Sequence, residues 1–435
     1  MYLPHWPIPS TLGGKTIDYE TVFQRASQVL ANLGNPHHHL PPVIHVAGTN
    51  GKGSSASLIA KIFQCHGYKT HLYTSPHLHD CNERIILDGN KISDNQLYQV
   101  MEQARIGANG IDLTFMEGFT IGAFLAFCQN PADILVVECG MGARIDITNI
   151  IEKKLACVIT AISLDHQEYL GDNINKIALE KSFIIKKDTP VIISPQAHSV
   201  KNILKIIAAD QQALPYFYDE DYSVEKDPDT GNFNFIWQHQ LLLENLSRPN
   251  LAGDHQYYNC AGAIATCMAI SNQFHFDYFN INNALKNVKW PSRLEKIDNN
   301  LNKILKNPQS EIWIDGAHNE GGALALSAWL KQQSPLKNFV LCGFSRNKCQ
   351  INFLNKFQGL GEIYAIRVEG EPYPESSETI CQIGLKHHLK ITNGENLITA
   401  INKISQDING QACRIVICGS LHLARDVKIF DQNLG

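Results

Sequence analysis

The stretch that decides the fold is VIHVAGTNGKGSS, from Val43 to Ser55. Its first residues form an apolar run typical of a buried strand, and the residues from Ser54 to Gly67 carry apolar side chains at helical spacing. A glycine-rich turn between a strand and a helix lets backbone N–H groups approach an anion. The segment therefore predicts a nucleotide phosphate site, formed by Gly48, Thr49, Asn50, Gly51, Lys52, Gly53 and Ser54.

Within this phosphate loop, Lys52 supplies a positive charge and Ser54 offers a hydroxyl to a phosphate-bound metal. The spacing differs from the general P-loop pattern, which has four residues between its first glycine and Gly-Lys-Ser/Thr. Here two residues separate Gly48 from Gly51. A purely structural glycine turn is the alternative, but the lysine and the strand–loop–helix context favour phosphate binding.

Composition narrows the class of protein. The chain has 435 residues, a net charge of −5 and 44% hydrophobic residues, which indicates a soluble globular protein of two or three domains. It has no apolar run of membrane-spanning length and no basic surface pattern, so we expect neither a membrane nor a nucleic-acid partner. The N-terminus lacks the features of a secretory signal, and the twelve cysteines include no C-x-x-C pair. We expect a cytoplasmic monomer.

Alternating strands and helices predict an α/β fold with two domains. Residues 1–290 are expected to form a larger P-loop-type ATP-binding domain with a mostly parallel sheet and, between Tyr216 and Leu243, a small antiparallel sheet. Residues 291–435 are expected to form a smaller Rossmann-like α/β domain. Predicted strands of the two parallel sheets lie at 69–74, 133–138, 156–160, 312–315, 338–342, 362–366 and 414–418. A hairpin is expected at Asp88-Gly89.

Polar motifs follow several of these strands, where ligands gather in open α/β sheets. Each motif is weak alone, since a histidine after a strand is commonly structural, but together with the phosphate loop they form a set. The motifs are Thr74-Ser75-Pro76-His77-Leu78, the loop from Glu138 to Asp146, Asp165-His166 and Asp315-Gly316-Ala317-His318-Asn319.

With these motifs, the chain resembles the folylpolyglutamate synthase / dihydrofolate synthase family, a branch of the Mur-type ATP-dependent amide ligases. Further matching segments are Asn82-Glu83-Arg84-Ile85, Glu180-Lys181, His255-Gln256 with Asn259, and Trp290-Pro291-Ser292-Arg293-Leu294-Glu295. The matches occur in the family's order over roughly residues 18–425. Chance agreement over so many separate segments is implausible.

The resemblance implies a role for each group of residues. It implies that the phosphate loop, Asn259, Arg293 and Asp315 contact ATP. One or two magnesium ions would be bound by Ser75, Glu138 and His166. Lys52, His166, Lys181 and His318 would be catalytic, with Lys181 carbamylated, and the pterin end of the substrate would be bound by Phe115, Glu117, Ile145 and Asp146.

Some positions leave alternatives open. Lys181 could be an ordinary helix lysine paired with acidic neighbours, and Phe115 and Glu117 could be a core residue and a solvated helix residue. The family pattern is not followed at Ala143, Ser182-Phe183, Ser292 and Cys349. The change at Ser182-Phe183 bears on the geometry of Lys181.

The implied reaction is the ligation of L-glutamate to dihydropteroate and to reduced folates through an acyl phosphate. One alternative is a folylpolyglutamate synthase without the dihydropteroate reaction, and another is a different Mur-type amide ligase. Mur ligases usually carry a further N-terminal domain, whereas only some 40 residues precede this phosphate loop. A third alternative is a nucleotide-dependent binding protein without catalysis, against which the complete set of proposed ligands argues.

Overall fold

A computed structural model describes residues 19–297, 300–346 and 350–433 of the chain. Cys349 and the N-terminal segment 1–18 lie outside the described residues. The chain forms two compact units. The first comprises the described residues up to Asn250 together with Gln256–Val288, and the second comprises Leu251–His255 and the described residues from Lys289 onward.

An eight-stranded sheet forms the centre of the first unit, in the order β4-β3-β2-β5-β1-β6-β7-β8. Its strands are β1 Val43–Ala47, β2 Thr70–Tyr73, β3 Ile85–Leu87, β4 Asn90–Lys91, β5 Ile134–Glu138, β6 Ala156–Ile159, β7 Pro190–Ile193 and β8 Leu214–Phe217. Six strands run parallel, and only the hairpin β3–β4 at the edge is antiparallel. All five residues of β1 are buried, because β1 lies between β5 and β6 and is covered on both faces.

Helices cover this sheet. They are α1 Tyr19–Asn32, α2 Lys52–Cys65, α3 Asp94–Ala108, α4 Phe115–Gln129, α5 Gln167–Leu170, α6 Ile174–Ser182, α7 His198–Asp210, α8 His255–Ala269 and α9 Tyr278–Asn287. Helix α3 begins with a capping box of Ser93 and Gln96, and α4 with one of Thr114 and Glu117. Nearly every side chain of α4 between Glu117 and Phe127 is buried, which matches a sequence that is apolar all round.

A separate three-stranded antiparallel sheet lies later in the first unit, in the order β11-β10-β9. Its strands are β9 Tyr222–Lys226, β10 Phe233–Trp237 and β11 Gln240–Leu246. The predicted small antiparallel sheet is thereby confirmed. The predicted hairpin is also present, with Asp88 and Gly89 both at positive φ in its turn.

The second unit is built on a six-stranded sheet in the order β12-β13-β17-β14-β15-β16. Its strands are β12 Glu295–Ile297, β13 Glu311–Ile314, β14 Lys337–Cys342, β15 Glu362–Ile366, β16 Ile391–Glu395 and β17 Cys413–Cys418. Its helices are α10 Asn300–Ile304, α11 Glu320–Lys331, α12 Gln350–Leu354, α13 Ser377–Lys386, α14 Leu397–Ile408 and α15 Leu421–Asn433. Alternate residues of β17 enter two different apolar clusters, so both faces of this sheet are buried. The predicted α/β fold class is confirmed.

None of the helices in the described ranges combines the length and the apolar character needed to cross a membrane.

Candidate active site

The phosphate loop follows β1 and requires glycine at two positions. Gly48 and Gly51 have φ values of +143° and +89°. A Cβ on Gly48 would overlap Thr160 Oγ1, and one on Gly51 would lie 2.5 Å from Asn259 Oδ1. The backbone is therefore packed as closely as a glycine allows, which is the condition for a tight anion-binding turn.

Helix α2 begins at Lys52, directly after Gly51, and no described side chain caps its N-terminus. Lys52 Nζ donates a hydrogen bond to Thr49 O at 3.3 Å, which holds the charge beside the loop. Ser54 is buried, and its hydroxyl has no partner within the described part of the chain. Open backbone donors, a cation and an unpaired buried hydroxyl together fit a phosphate with its metal ion.

Hydrogen bonds join the phosphate loop to the loop after β6. Thr49 N and Asn50 N both donate to Ala161 O at 3.0 Å, and Thr49 Oγ1 donates to Ser163 O at 3.1 Å. The same second loop carries His166, which has a positive φ and a side chain that is 39% exposed. The structure thus brings the loop of His166 against the phosphate loop.

Glu138 is the last residue of β5 and is 4% exposed. Ser75, which follows the neighbouring strand β2, donates its N–H to Glu138 Oε2 at 3.2 Å. Hydroxyl and carboxylate oxygens are suitable ligands for magnesium, which typically uses few protein groups together with phosphates and water. The described residues contain no cluster of three His, Cys, Asp or Glu side chains able to hold a metal ion.

Lys181, near the end of α6, reaches the phosphate loop. Its side chain is 4% exposed, and Nζ donates to Gly48 O at 2.7 Å. Burial, reinforced by the charge of Lys52, lowers the pKa of Lys181 to about 8. The acidic neighbour Glu180 pairs instead with Arg144, whose Nη2 lies 2.5 Å from Glu180 Oε1.

The two residues that depart from the family pattern after Lys181 have contacts of their own. Ser182 Oγ donates to Leu179 O at 2.7 Å, and the guanidinium of Arg144 lies 5.5 Å from the centre of the Phe183 ring. Neither change prevents Lys181 from reaching the phosphate loop.

Phe115 belongs to an aromatic pair with a buried arginine over it. The Phe115 and Phe119 rings are stacked 5.5 Å apart, and the Arg84 guanidinium lies 5.2 Å and 5.6 Å from their centres. Arg84 also donates to His77 Nδ1 at 2.8 Å and contacts Met116 Sδ at 3.3 Å. Arg84 stands in a matching family segment, but sequence reasoning gave it no role.

Glu117 is buried, so the alternative of a solvated helix residue is wrong. Its Oε2 accepts the N–H of Thr114 at 2.7 Å, and its Oε1 accepts from Arg25 Nη2 at 2.7 Å. These bonds fix the start of α4 against α1. A contact between Glu117 and a substrate stays a prediction.

Asp146 is also already hydrogen-bonded. It accepts from Gly140 N at 2.8 Å, Met141 N at 3.0 Å, Thr148 N at 3.0 Å and Thr148 Oγ1 at 2.5 Å. Four donors fill the acceptor sites of a carboxylate. Its neighbour Ile145 lies in an apolar cluster with Leu170. For both residues, a role in pterin binding stays a prediction.

In the second unit, three predicted site residues meet after β13. Asp315 accepts from Leu294 N at 2.8 Å and from Ala317 N at 2.7 Å. His318 Nδ1 lies 2.9 Å from Gly316 O, and a Cβ on Gly316 would lie 2.5 Å from Arg293 Nη1. Asn259 belongs to the first unit, where it contacts Ser55 Oγ at 3.4 Å.

The parallel sheet and the glycine loop before the uncapped helix α2 define an α/β nucleotide-binding protein. Comparison with known proteins places the chain among the Mur ligases. Residues 46–267 match the Mur ligase middle domain, and residues 297–430 match the dihydrofolate synthetase C-terminal domain. The chain is 33% identical to folylpolyglutamate synthase of Lacticaseibacillus casei over 422 residues, which cover 93% of each protein.

Solved structures agree with this class. The chain is similar to E. coli FolC in complex with DHPP and ADP, with a TM-score of 0.85, 25% identity and coverage of 98% of this chain and 96% of that one. It is also similar to a bifunctional folylpolyglutamate synthase/dihydrofolate synthase with Mn, AMPPNP and L-glutamate bound, with a TM-score of 0.81, 26% identity and coverage of 94% and 93%. The chain belongs to the folylpolyglutamate synthase / dihydrofolate synthase family, as its motifs predicted.

Proposed function

We propose that this protein is an ATP-dependent ligase that joins L-glutamate to dihydropteroate and to reduced folates. The observation that carries the proposal is the uncapped N-terminus of α2, with Lys52 and the unpaired Ser54 hydroxyl beside it. Two further residues support it: Lys181 binds Gly48 O of this loop, and Glu138 ends β5, the strand next to β1. Family membership supplies the reaction class.

The reaction has two steps. A carboxylate oxygen of the pterate or folate attacks the γ-phosphorus of ATP, the bond to ADP breaks, and an acyl phosphate forms. The α-amine of glutamate then attacks the acyl carbon, and phosphate leaves as the amide forms and the amine loses a proton. In the first step the protein mainly positions the phosphates and neutralises their charge, with the α2 N–H groups and Lys52 as donors.

Magnesium is proposed as one or two ions, held by Ser75, Glu138 and His166. Oxygen ligands at the ends of β2 and β5 and the unpaired Ser54 hydroxyl are compatible with it. When bound, it would neutralise phosphate charge that the protein alone does not balance. Asn259, Arg293, Asp315 and His318 are proposed to contact ATP or the incoming glutamate.

Lys181 is proposed to carry a carbamate. A neutral lysine amine attacks carbon dioxide, and the product loses a proton to give an anion in place of a cation. A pKa of about 8 leaves a usable fraction of neutral amine near neutral pH. Carbon-13 NMR with labelled bicarbonate tests this, and a bare Lys181 in fully active enzyme would exclude it.

For the acceptor, the Phe115–Phe119 pair with Arg84 supports a seat for a flat pterin ring. Aromatic faces stack on such rings. Glu117, Ile145 and Asp146 remain the proposed neighbours of the pterin edge. If a pterin binds here, both dihydropteroate and a reduced folate should fit, because the two share that ring.

One assay decides between the candidates. Purified protein is given ATP, labelled glutamate and either dihydropteroate or tetrahydrofolate. We expect labelled amide product with both acceptors, and ADP release only when acceptor and glutamate are both present. Product from tetrahydrofolate alone would indicate a single-function polyglutamate ligase, and nucleotide binding without product would indicate a binding protein.

We further propose a cytoplasmic monomer. The eleven cysteines in the described ranges are all free, which suits a reducing compartment. Light scattering coupled to size-exclusion chromatography tests the oligomeric state, and a mass near twice 48.6 kDa would contradict a monomer.

A further inference from the structure

A buried histidine lies in the strand that leads to the phosphate loop. His45 is the central residue of β1 and is completely buried. Its Nε2 lies 2.9 Å from Thr148 Oγ1. Because the Thr148 hydroxyl donates its only hydrogen to Asp146 Oδ1, His45 Nε2 must be the donor in this pair. The hydrogen bonds therefore run in one direction, from His45 through Thr148 to Asp146.

We refer to the hydrogen-bonded residues His45, Thr148 and Asp146 as the relay. Its last residue, Asp146, holds the loop after Glu138. Asp146 Oδ2 accepts the N–H groups of Gly140 and Met141, which are the second and third residues after the proposed metal ligand. Hydrogen bonds to a carboxylate are stronger than bonds between neutral groups. The path of the backbone that leaves β5 thus depends on where Asp146 lies.

The turn that contains Thr148 also contacts the helix of Lys181. Asn149, in the same turn Ile147–Ile150, donates from Nδ2 to Phe183 O at 3.1 Å, directly after α6. Its Oδ1 accepts from the buried Lys154 at 2.6 Å. One short turn is therefore bonded to the strand before the phosphate loop, to the loop after Glu138 and to the helix that carries Lys181.

We propose that His45 is a positioning residue for the ligase reaction, which acts through Thr148 and Asp146 to hold Glu138 in its ligand-binding position. The identity of the ligand, magnesium nucleotide, rests on the proposed function. The relay would explain why a polar ring occupies a strand whose neighbours are Ile44 and Val46. An aliphatic side chain there would leave the Thr148 oxygen without its donor, and the carboxylate less firmly held.

The competing explanation is that the relay only stabilises the fold, and His71 provides the matched control. His71 is also a buried strand histidine of the same sheet, in β2, but its partners are backbone atoms: Asn130 O lies 2.8 Å from Nε2 and Asp88 N lies 3.2 Å from Nδ1. Neither partner belongs to the loop after Glu138. His71→Leu should therefore lower stability without moving the proposed metal ligand.

The test measures the binding of Mg·ADP by calorimetry, the melting temperature, and amide hydrogen exchange of residues 139–142. His45→Asn and Thr148→Val remove the relay, whereas His45→Gln keeps a donor near the Nε2 position and Thr148→Ser keeps the hydroxyl. We expect the two removing variants to weaken Mg·ADP binding about ten-fold and to speed exchange at residues 139–142, since a bond to a charged group is lost or weakened. We expect the two conservative variants to stay within about three-fold of the wild type.

The proposal is overturned if Thr148→Val or His45→Asn binds Mg·ADP as the wild type does, or if His71→Leu weakens binding equally at a similar loss of melting temperature. If one removing variant does not fold, the other decides, and its exchange rate at residues 139–142 is compared with that of the conservative variant at the same position. Failure of the proposed function is distinguishable, because Mg·ADP binding needs no acceptor: a wild type that binds Mg·ADP but makes no amide leaves this test intact.

Discussion

Two strand–loop–helix segments, one in each unit, start from the same arrangement and end differently. After β1, the chain enters α2 through Gly51 at positive φ, and no described side chain caps the helix. After β13, the chain enters α11 through Asn319, whose side chain accepts the Gly322 N–H at 2.9 Å. The loop before α11 is closed further by Asp315, which accepts two backbone N–H groups.

The difference teaches which helix end is available to an anion. The Asn319 side chain satisfies the Gly322 N–H in the first turn of α11, so that end is stabilised by the protein itself. The N–H groups at the start of α2 remain for a ligand, with Lys52 beside them. A strand followed by a helix is therefore not enough to predict a phosphate site, and the cap is the discriminating feature.

The strongest test of this contrast is Lys52→Ala. The change removes the only charge proposed to neutralise the phosphates from within the loop, and it removes no core packing. We expect turnover to fall at least about a hundred-fold, the scale on which removal of one electrostatic donor acts in catalysis. Steady-state ADP release measures it, with Lys61→Ala, a change of another α2 lysine, as the control. Near-normal ADP release by a folded Lys52→Ala protein would contradict the role of the open helix end.

Glu138→Gln should have the next largest effect. The substitution keeps the side-chain volume but removes the negative charge proposed to bind magnesium. We expect the magnesium concentration for half-maximal activity to rise about ten-fold or more, as with loss of a bond to a charged group. Glu102→Gln, on the partly exposed face of α3, is the control. An unchanged magnesium titration would leave Glu138 as a structural residue.

Lys181 should make the free energy of unfolding of the first unit, which contains the phosphate loop, depend on pH. Its folded pKa of about 8 lies below the ordinary value of 10.5. Between these values the unfolded chain binds one more proton than the folded one, so the contribution of Lys181 to the free energy of unfolding rises with pH. Below pH 8 the buried charge is unfavourable in the folded state.

The comparison of wild type with Lys181→Met isolates this effect from the other titrating groups. In bicarbonate-free buffer, the melting temperature of the wild type should rise relative to that of the variant as the pH increases from 8 to 10. Bicarbonate should flatten this trend if Lys181 becomes a carbamate. A pH-independent difference in both buffers would mean that Lys181 does not titrate in this range.

The smallest effect is expected at the capped helix. Asn319→Ala should lower the free energy of unfolding by about 1 kcal/mol, since it removes an N-cap acceptor. Denaturant unfolding measures it, and Asn319→Asp, which keeps an acceptor, should restore most of the loss. A stability loss as small as that of an ordinary surface change would show that the α11 cap is not needed, and the contrast with α2 would weaken.

Sequence reasoning predicted the parts of the site that depend on local pattern. The apolar run of β1 with the glycines after it, and the polar residues that end β2, β5 and β6, are each visible within a few residues of their own strand. Parallel strands bring such ends to one edge of a sheet. The position of the phosphate loop and that of Ser75 beside Glu138 follow from that geometry, whereas Lys181 lies on helix α6 and was assigned only through the family resemblance.

Features that depend on distant partners were not predicted. Strands β7, β8, β12 and β16 were not predicted. Pro190, Pro215 and Gly394 stand within β7, β8 and β16, and such residues weaken strand propensity. The roles of His45 and Arg84 were missed because their partners, Thr148 and Met116, are far away in sequence. The burial of Glu117 was not predicted either, because its partner Arg25 is also far away in sequence.

The central position of β1 also has a consequence for the order of folding. Its two partners, β5 and β6, begin only at Ile134 and Ala156, so the strand before the phosphate loop stays unpaired on both sides until long chain segments have closed. Closing such loops is slow, which makes the nucleotide site a late product of folding. We therefore expect Mg·ADP to leave the main refolding rate unchanged in stopped-flow experiments and to slow unfolding instead, because a ligand that binds only the finished site acts after the rate-limiting barrier.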